Sequence, residues 1–322
     1  MTENQPSLKK LKFKLTFNLF ISIVLLLGSL ATFIYGYQLT QKPVLVVLLF
    51  HEALKKPLNP WEITDNTLEK YIEKFLALKY KPVDPENFEN MLSQGFKGRN
   101  FLVTFDDGTE NEYRSIENLY KKYKIKSVLF LIEEYVDLAP NLSTEQIKKL
   151  QKDYGTCIGL HGKYHEKYSE QIKNRDLGGI TEEARQRLNS KLGCNIKWLA
   201  YPFGDYNKAV IEDLKNKTAI DLAFTIESGN ISDNTDKFMI NRYMYMGGIE
   251  PGGEDENFNL NLFPPESYLN GQLLITLSTM VFFFSISRVL MTWKYYKALA
   301  VLRMKIEERR LKEENKREET ED

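Results

Sequence analysis

Histidine is nearly absent from this chain. Among 322 residues there are three, His51, His161 and His165. Any chemistry that needs imidazole falls on them. Cysteine is scarcer still. Cys157 and Cys194 are the only two, and neither has a C-x-x-C neighbour. That argues against cysteine ligation of a metal. It leaves one disulfide, permitted outside the cytoplasm, or two buried thiols. An excess of either charge is also missing: Lys+Arg and Asp+Glu are both 44. No general basic surface is therefore available to bind nucleic acid by counterion release. Internal repeats and low-complexity linkers are absent.

Long uncharged runs, by contrast, occur twice. One lies between Lys14 and Lys42, the other between Glu266 and Arg288. A bilayer core takes about 20 apolar residues, and both runs supply that. The first exceeds the roughly 7–15-residue apolar region of a signal peptide, and no small-x-small cleavage pattern follows it. It reads as an uncleaved anchor. Lys9, Lys10, Lys12 and Lys14 precede the first run; Lys294, Lys297, Arg303 and Lys305 follow the second. Positive flanks favour the cytoplasm, which places both termini inside a two-pass plasma-membrane protein. The expected division is a cytoplasmic N-terminus (1–15), transmembrane helices (16–39 and 267–291), an extracytoplasmic domain (40–266) and a cytoplasmic tail (292–322). Glu-to-Lys and Glu-to-Arg pairs at helical spacing make the tail a charged helix, either solvated or docking a partner.

Between the runs, short apolar stretches alternate with amphipathic ones. Strands are expected at 44–50, 101–105, 127–132, 156–160, 196–201 and 222–226. Helices are expected at 68–78, 113–123, 144–152, 181–192 and 208–217, with Thr181 as a capping hydroxyl at the start of the fourth. Apolar strands alternating with helices imply a parallel sheet buried on both faces. The fold class is α/β, and the number of units favours a barrel or distorted barrel over two small domains. His51, the Asp106-Asp107 pair, His161 and Pro202 each follow a candidate strand. In a β/α barrel those strand ends share one face, the face that hosts active sites.

Two histidines four residues apart and one carboxylate make a three-ligand set that leaves positions open for water and substrate. Imidazole and carboxylate suit a divalent ion, zinc foremost, with cobalt, nickel or iron as alternatives. One aspartate of the pair would hold the metal while its neighbour accepts a proton. Gly108 lets the backbone turn sharply after them.

These residues resemble the motifs of polysaccharide deacetylases, carbohydrate esterase family 4, the NodB-homology group. Thr104-Phe105-Asp106-Asp107-Gly108 matches the first motif letter for letter. His161-Gly162-Lys163-Tyr164-His165 resembles the second, H-[ST]-x-x-H, with glycine where a hydroxyl residue is usual. Tyr201-Pro202-Phe203-Gly204 resembles the third. The resemblance implies a (β/α)7 barrel that removes acetyl groups from N-acetylated sugars. It implies Asp106 as general base and Asp107, His161 and His165 as metal ligands. The third-motif turn (Tyr201, Pro202, Phe203) would contact substrate and oxyanion through the amide near Phe203. Two features depart from the family. Ala200 stands where many members carry the arginine that orients the base, and no histidine follows His165 to act as general acid. Leu48-Leu49-Phe50-His51-Glu52 resembles the early [LM]-x-Y-H segment of biofilm-type poly-N-acetylglucosamine deacetylases, where the acid histidine comes first; His51 would then protonate the leaving amine. Arg242 either lines the same cleft or makes a structural salt bridge. The implied substrate is an extracellular poly-N-acetylglucosamine-like polymer, with a polysaccharide synthase as partner. Peptidoglycan deacetylation, O-deacetylation and an inactive glycan-binding subunit are the competing readings.

Overall fold

The structure, a computed structural model, describes residues 8–40, 43–54, 62–232, 234–244 and 266–321. In order these form α1 (Leu8–Thr40), β1 (Val44–Phe50), β2 (Ala53–Leu54), β3 (Ile63–Thr64), α2 (Asp65–Ala77), β4 (Lys81–Pro82) and α3 (Pro85–Gln94). There follow β5 (Arg99–Asp107), α4 (Glu110–Tyr123), β6 (Ser127–Leu131), α5 (Thr144–Tyr154), β7 (Cys157–Leu160), α6 (Tyr168–Gln171) and α7 (Leu177–Leu192). The chain ends with β8 (Trp198–Ala200), α8 (Lys208–Lys217), β9 (Leu222–Phe224), β10 (Tyr243–Met244) and α9 (Glu266–Glu321). Two compact units result: Pro43–Leu260, and the terminal segments Met1–Lys42 with Asn261–Asp322.

The first unit is built on one curled sheet of order β10-β1-β5-β6-β7-β8-β9, with β4 also paired to β5. Every pairing along it is parallel. The composition explains this. All seven residues of β1, Val-Leu-Val-Val-Leu-Leu-Phe, are buried, as are all five of β6, which is the pattern of strands covered on both faces. Leu45, Val47, Leu102, Val128, Phe130 and Phe224 are core members between sheet and helices.

The expected barrel is corrected to an open half-barrel. β9 and β10 do not pair as strands. The segment between them makes only isolated bridges, Ile231 to Leu45 and Ile240 to Phe224. Strands of three and two residues offer too few ladder bonds to close the sheet. The helix expected from Thr181 begins earlier, at Leu177. The Asp176 side chain accepts from the Gly179 amide, and the Thr181 hydroxyl instead donates to the Leu177 carbonyl at 2.8 Å. Gly178 is tolerated there because a Cβ would stand 2.8 Å from Cβ of Lys217 on α8. Cys157 and Cys194 are free thiols, each half-buried. Burial first, then the neighbouring Cys194, pushes the Cys157 thiol up to about 12, where it is unreactive.

In the other unit, two helices are long and apolar enough to cross a membrane, by length and composition: Phe13–Thr40 and Asn270–Lys312. The charged tail continues α9 without a break. Their buried positions recur every seven residues: Leu15, Ser22, Ser29 and Gly36 on α1, and Gly271, Ser278, Ser285 and Thr292 on α9. A Cβ on Gly36 would lie 2.9 Å from the Gly271 carbonyl oxygen, so the backbones touch there. The pairs Gly36–Gly271, Asn18–Arg288 and Thr16–Tyr296 make the helices antiparallel. Small residues on this seam allow close packing without a water-driven hydrophobic gain.

Candidate active site

The strand ends build the site. β5 terminates in Asp106 and Asp107, and β1 delivers His51 one residue past its end. β7 delivers His161, and β8 delivers the Tyr201–Gly204 turn. They meet around a cavity of about 290 Å³ lined by His51, Asp106, Asp107, His161, His165 and Phe203, with Met244 from β10.

The Asp-Asp-Gly turn is held by backbone geometry as well as sequence. Asp107 has φ of 87° and Gly108 of 86°, both in the left-handed region. A Cβ on Gly108 would meet Leu131 Cδ2 at 2.5 Å. For Asp107 this conformation costs about 1–2 kcal/mol, the kind of strain that clusters at functional sites. Glu112 in the first turn of α4 fixes the turn, since one carboxyl oxygen accepts from the Gly108 amide at 2.7 Å and the Thr109 amide at 3.0 Å. Burial, followed by the charge of Asp107, pushes the Glu112 carboxyl well above its ordinary range.

Asp107, His161 and His165 each offer one ligand atom, and these atoms lie within 4.8 Å of one another. His161 Nδ1 lies 2.9 Å from the Ala200 carbonyl oxygen. A carbonyl can only accept, so Nδ1 carries the proton and Nε2 presents its lone pair to the cavity. That Nε2 is 3.6 Å from Asp107 Oδ1, and His165 Nε2 is 3.9 Å from the same oxygen. Asp107 Oδ1 is buried and has no hydrogen-bond partner. Burial, with His161 beside it, lowers the His165 pKa, which favours the neutral imidazole a metal needs. The donor chemistry and the orphaned oxygen thus fit a divalent cation.

Asp106 has a different environment. It is 2% exposed. Arg242 grips it bidentately, Nη1 to Oδ1 at 2.7 Å and Nη2 to Oδ2 at 2.8 Å, while Arg242 Nε donates to the Thr225 carbonyl at 2.7 Å. Burial alone would raise the Asp106 pKa; the Arg242 charge, helped by His161, outweighs it and holds the carboxyl at about 2. The arginine that Ala200 cannot supply therefore comes from the strand-edge segment before β10. Of the two expectations for Arg242, the salt bridge is what the structure shows, and cleft lining is corrected: Arg242 is 0% exposed and pairs with Asp106.

His51 joins the same cavity. Burial lowers its pKa, partly offset by the charges of Asp106 and Asp107, and its Nδ1 is buried without a partner. The Phe203 ring is 52% exposed and stacks on His165 with centroids 4.1 Å apart. Phe203 also has φ of 57°, in the left-handed region. Pro202 is buried under this turn. The Tyr201 hydroxyl donates to the Phe238 carbonyl at 3.0 Å, so Tyr201 lines the cavity with its hydroxyl already engaged. Gly162 explains the departure in the second motif. Its φ is 86°, and a Cβ would sit 2.9 Å from the Tyr164 carbonyl oxygen.

Comparison with known proteins agrees with this geometry. Residues 93–219 match the family model for polysaccharide deacetylases. The chain is 24% identical over 220 residues to the Bacillus subtilis polysaccharide deacetylase YxkH, covering 65% of this chain and 75% of that protein. It is 24% identical over 207 residues to the poly-β-1,6-N-acetyl-D-glucosamine N-deacetylase of Staphylococcus epidermidis, covering 59% and 70%. Among solved structures, IcaB from Ammonifex degensii aligns with a TM-score of 0.56 and 23% identity over 73% of this chain and 98% of that one. The Streptococcus pyogenes deacetylase PplD aligns with a TM-score of 0.58 and 20% identity over 69% and 99%. The match is to a polysaccharide deacetylase domain over residues 93–219, and the fold is the one these deacetylase structures share. The comparisons support a hydrolase acting on amide bonds.

Proposed function

We propose that this protein is a membrane-anchored, metal-dependent N-deacetylase of an extracellular polymer containing N-acetylhexosamine, of the poly-N-acetylglucosamine type. The observation that carries this reading is the ligand set Asp107, His161 and His165 beside an Asp106 kept ionised by Arg242. The names of the Staphylococcus relatives support the polymer. The tethered Asp106 also removes the main reason to favour an inactive glycan-binding subunit, which was the missing third-motif arginine.

A divalent ion held by the three ligands, zinc foremost, supplies positive charge that acidifies water and polarises the acetamide carbonyl. The chain's own groups do the rest. Asp106 accepts a proton from the attacking water, whose oxygen bonds to the carbonyl carbon. Pro202 has no N–H, and the Tyr201 and Gly204 amides already donate to the Phe224 and Tyr201 carbonyls. The Phe203 amide is thus the donor assigned to the developing oxyanion. The C–N bond breaks as His51 gives a proton to the amine, and acetate leaves. His51 must be protonated for that step; burial opposes this charge, and the two nearby carboxylates offset part of the cost.

The apolar segments 16–39 and 267–291, in the helices Phe13–Thr40 and Asn270–Lys312, are read as the two membrane spans. Lys14 and Arg288 line one cleft, so the basic ends of both lie on one side, assigned to the cytoplasm. The second span and charged tail suit a polysaccharide synthase partner. Asp106→Asn should abolish acetate release from N-acetylglucosamine oligomers while retaining metal, and Asp107→Ala should lose the metal. A wild-type protein that binds no metal and releases no acetate from any acetylated glycan would sink the reading.

A further inference from the structure

Arg288 is a cation that the proposed chemistry does not use. It closes the uncharged run of α9 at its basic end, five residues before Trp293, or about 8 Å along the helix axis. It is half-buried. Its Nη2 reaches Asn18 Oδ1 at 3.5 Å, and its guanidinium sits 5.9 Å over the Phe284 ring. Both partners are neutral. Neither helix offers a counter-ion nearby: α1 has no Asp or Glu, and α9 has none between Glu266 and Glu307.

A cation at the end of an apolar span keeps its charge at the headgroup level, where it seeks a negative partner. Here a second cation faces the same space. Lys14 and Arg288 line one cavity of about 400 Å³ with Asn18 and Tyr295, over the apolar side chains of Leu15 and Met291. Two like charges sharing one cavity repel, and an anion between them relieves both. The occupant must carry negative charge and fit the cavity. It must also continue into an apolar environment, because the helix flanks beside the cavity expose Phe13, Phe17, Phe284 and Leu290. Inorganic phosphate meets the first two conditions; a phospholipid headgroup meets all three.

We propose that this cleft is a headgroup site for an anionic glycerophospholipid. Its phosphate lies between Lys14 and Arg288, with the Tyr295 hydroxyl as a further donor and the acyl chains along the exposed apolar flanks. Such basic pockets between helices are suited to lipid headgroups. The assignment rests on the two-span reading above, and a separate measurement tests that reading. Alkaline carbonate extraction should leave the full-length chain in the membrane pellet. Release into the supernatant removes the spans and this site together.

For the site itself, the full-length chain is reconstituted in nanodiscs of phosphatidylcholine and phosphatidylglycerol, and the lipids it retains are counted by native mass spectrometry. The wild type should retain phosphatidylglycerol in preference. Arg288→Gln and Lys14→Gln should each reduce that preference about fivefold, the effect of about 1 kcal/mol per cation. Lys294→Gln, a cation outside the cavity, should leave it unchanged, and millimolar inorganic phosphate should not displace the lipid. The proposal is overturned if both cavity variants keep the preference or if Lys294→Gln loses it equally. It is also overturned if phosphate displaces the lipid, or if an acidic membrane protein occupies the cleft and no lipid is retained. A chain that resists carbonate yet fails these comparisons refutes the lipid site and leaves the spans standing.

Discussion

A buried carboxylate serves as a base only if something keeps it ionised. Asp106 is buried and held at about 2 because Arg242 supplies both charge and a fork of two hydrogen bonds. Arg242→Met leaves burial unopposed by its largest counter-charge. The acid limb of the kcat/KM profile should then move up by about 1–3 pH units, while Arg242→Lys restores charge without the fork and recovers part of the shift. An unmoved acid limb would show that Asp106 is not the titrating base. The sign for stability follows from the same depressed pKa. The contribution of Asp106 is present above the ordinary carboxylate range and is lost as pH falls toward about 2. Removing one partner of a buried pair costs about 3–5 kcal/mol, so Arg242→Met should also lower the denaturant midpoint at neutral pH. The sequence offered Asp106 through its motif and Arg242 as a cleft residue or a salt-bridge partner, but not their pairing. Arg242 and Asp106 are 136 positions apart, and no local pattern joins them. His161 shows the opposite case, since its motif was plain. Only its tautomer needed the structure, because the Ala200 carbonyl comes from another strand.

At the scale of elements, caps and turns decide how accurately the ligands are held. The Glu112 carboxyl accepts from the Gly108 and Thr109 amides and so ties the Asp-Asp-Gly turn to the start of α4. Glu112→Ala loses two backbone acceptor contacts and should cost about 1–2 kcal/mol. Calorimetric titration should then show weaker metal binding. Glu112→Gln keeps an acceptor oxygen and should stay within about 0.5 kcal/mol of wild type, since burial already holds the native carboxyl far above its usual range. Equal losses in both variants would mean that a negative charge is needed there. Apolar strands were legible as runs: 44–50 and 127–132 were expected and appear as β1 and, one residue shorter, β6, while 222–226 shrinks to the three residues of β9. β2, β3 and β10 were not, because two residues carry no period. The missed α3 had a local signal, Asp84 capping its start with Pro85 in the first turn. Asp176 likewise outcompeted Thr181 for the start of α7 because the helix could extend through Gly178 against α8.

For the whole molecule, the proposed topology makes a direct prediction. Epitope tags at the two ends should resist protease added to intact cells and become cleavable after permeabilisation, while the Pro43–Leu260 unit should be digestible from outside. A tag removed from intact cells would reverse the orientation. By itself the sequence determined the two apolar helices, the alternation that makes a parallel sheet, and the candidate ligand set. All three are carried by local composition or by motifs whose residues are neighbours along the chain. The tertiary structure decided that the sheet stays open, that Arg242 replaces the arginine absent at Ala200, and that Arg288 and Lys14 face one cavity. Each of these depends on which distant segments share space, and that is set by packing rather than by local pattern.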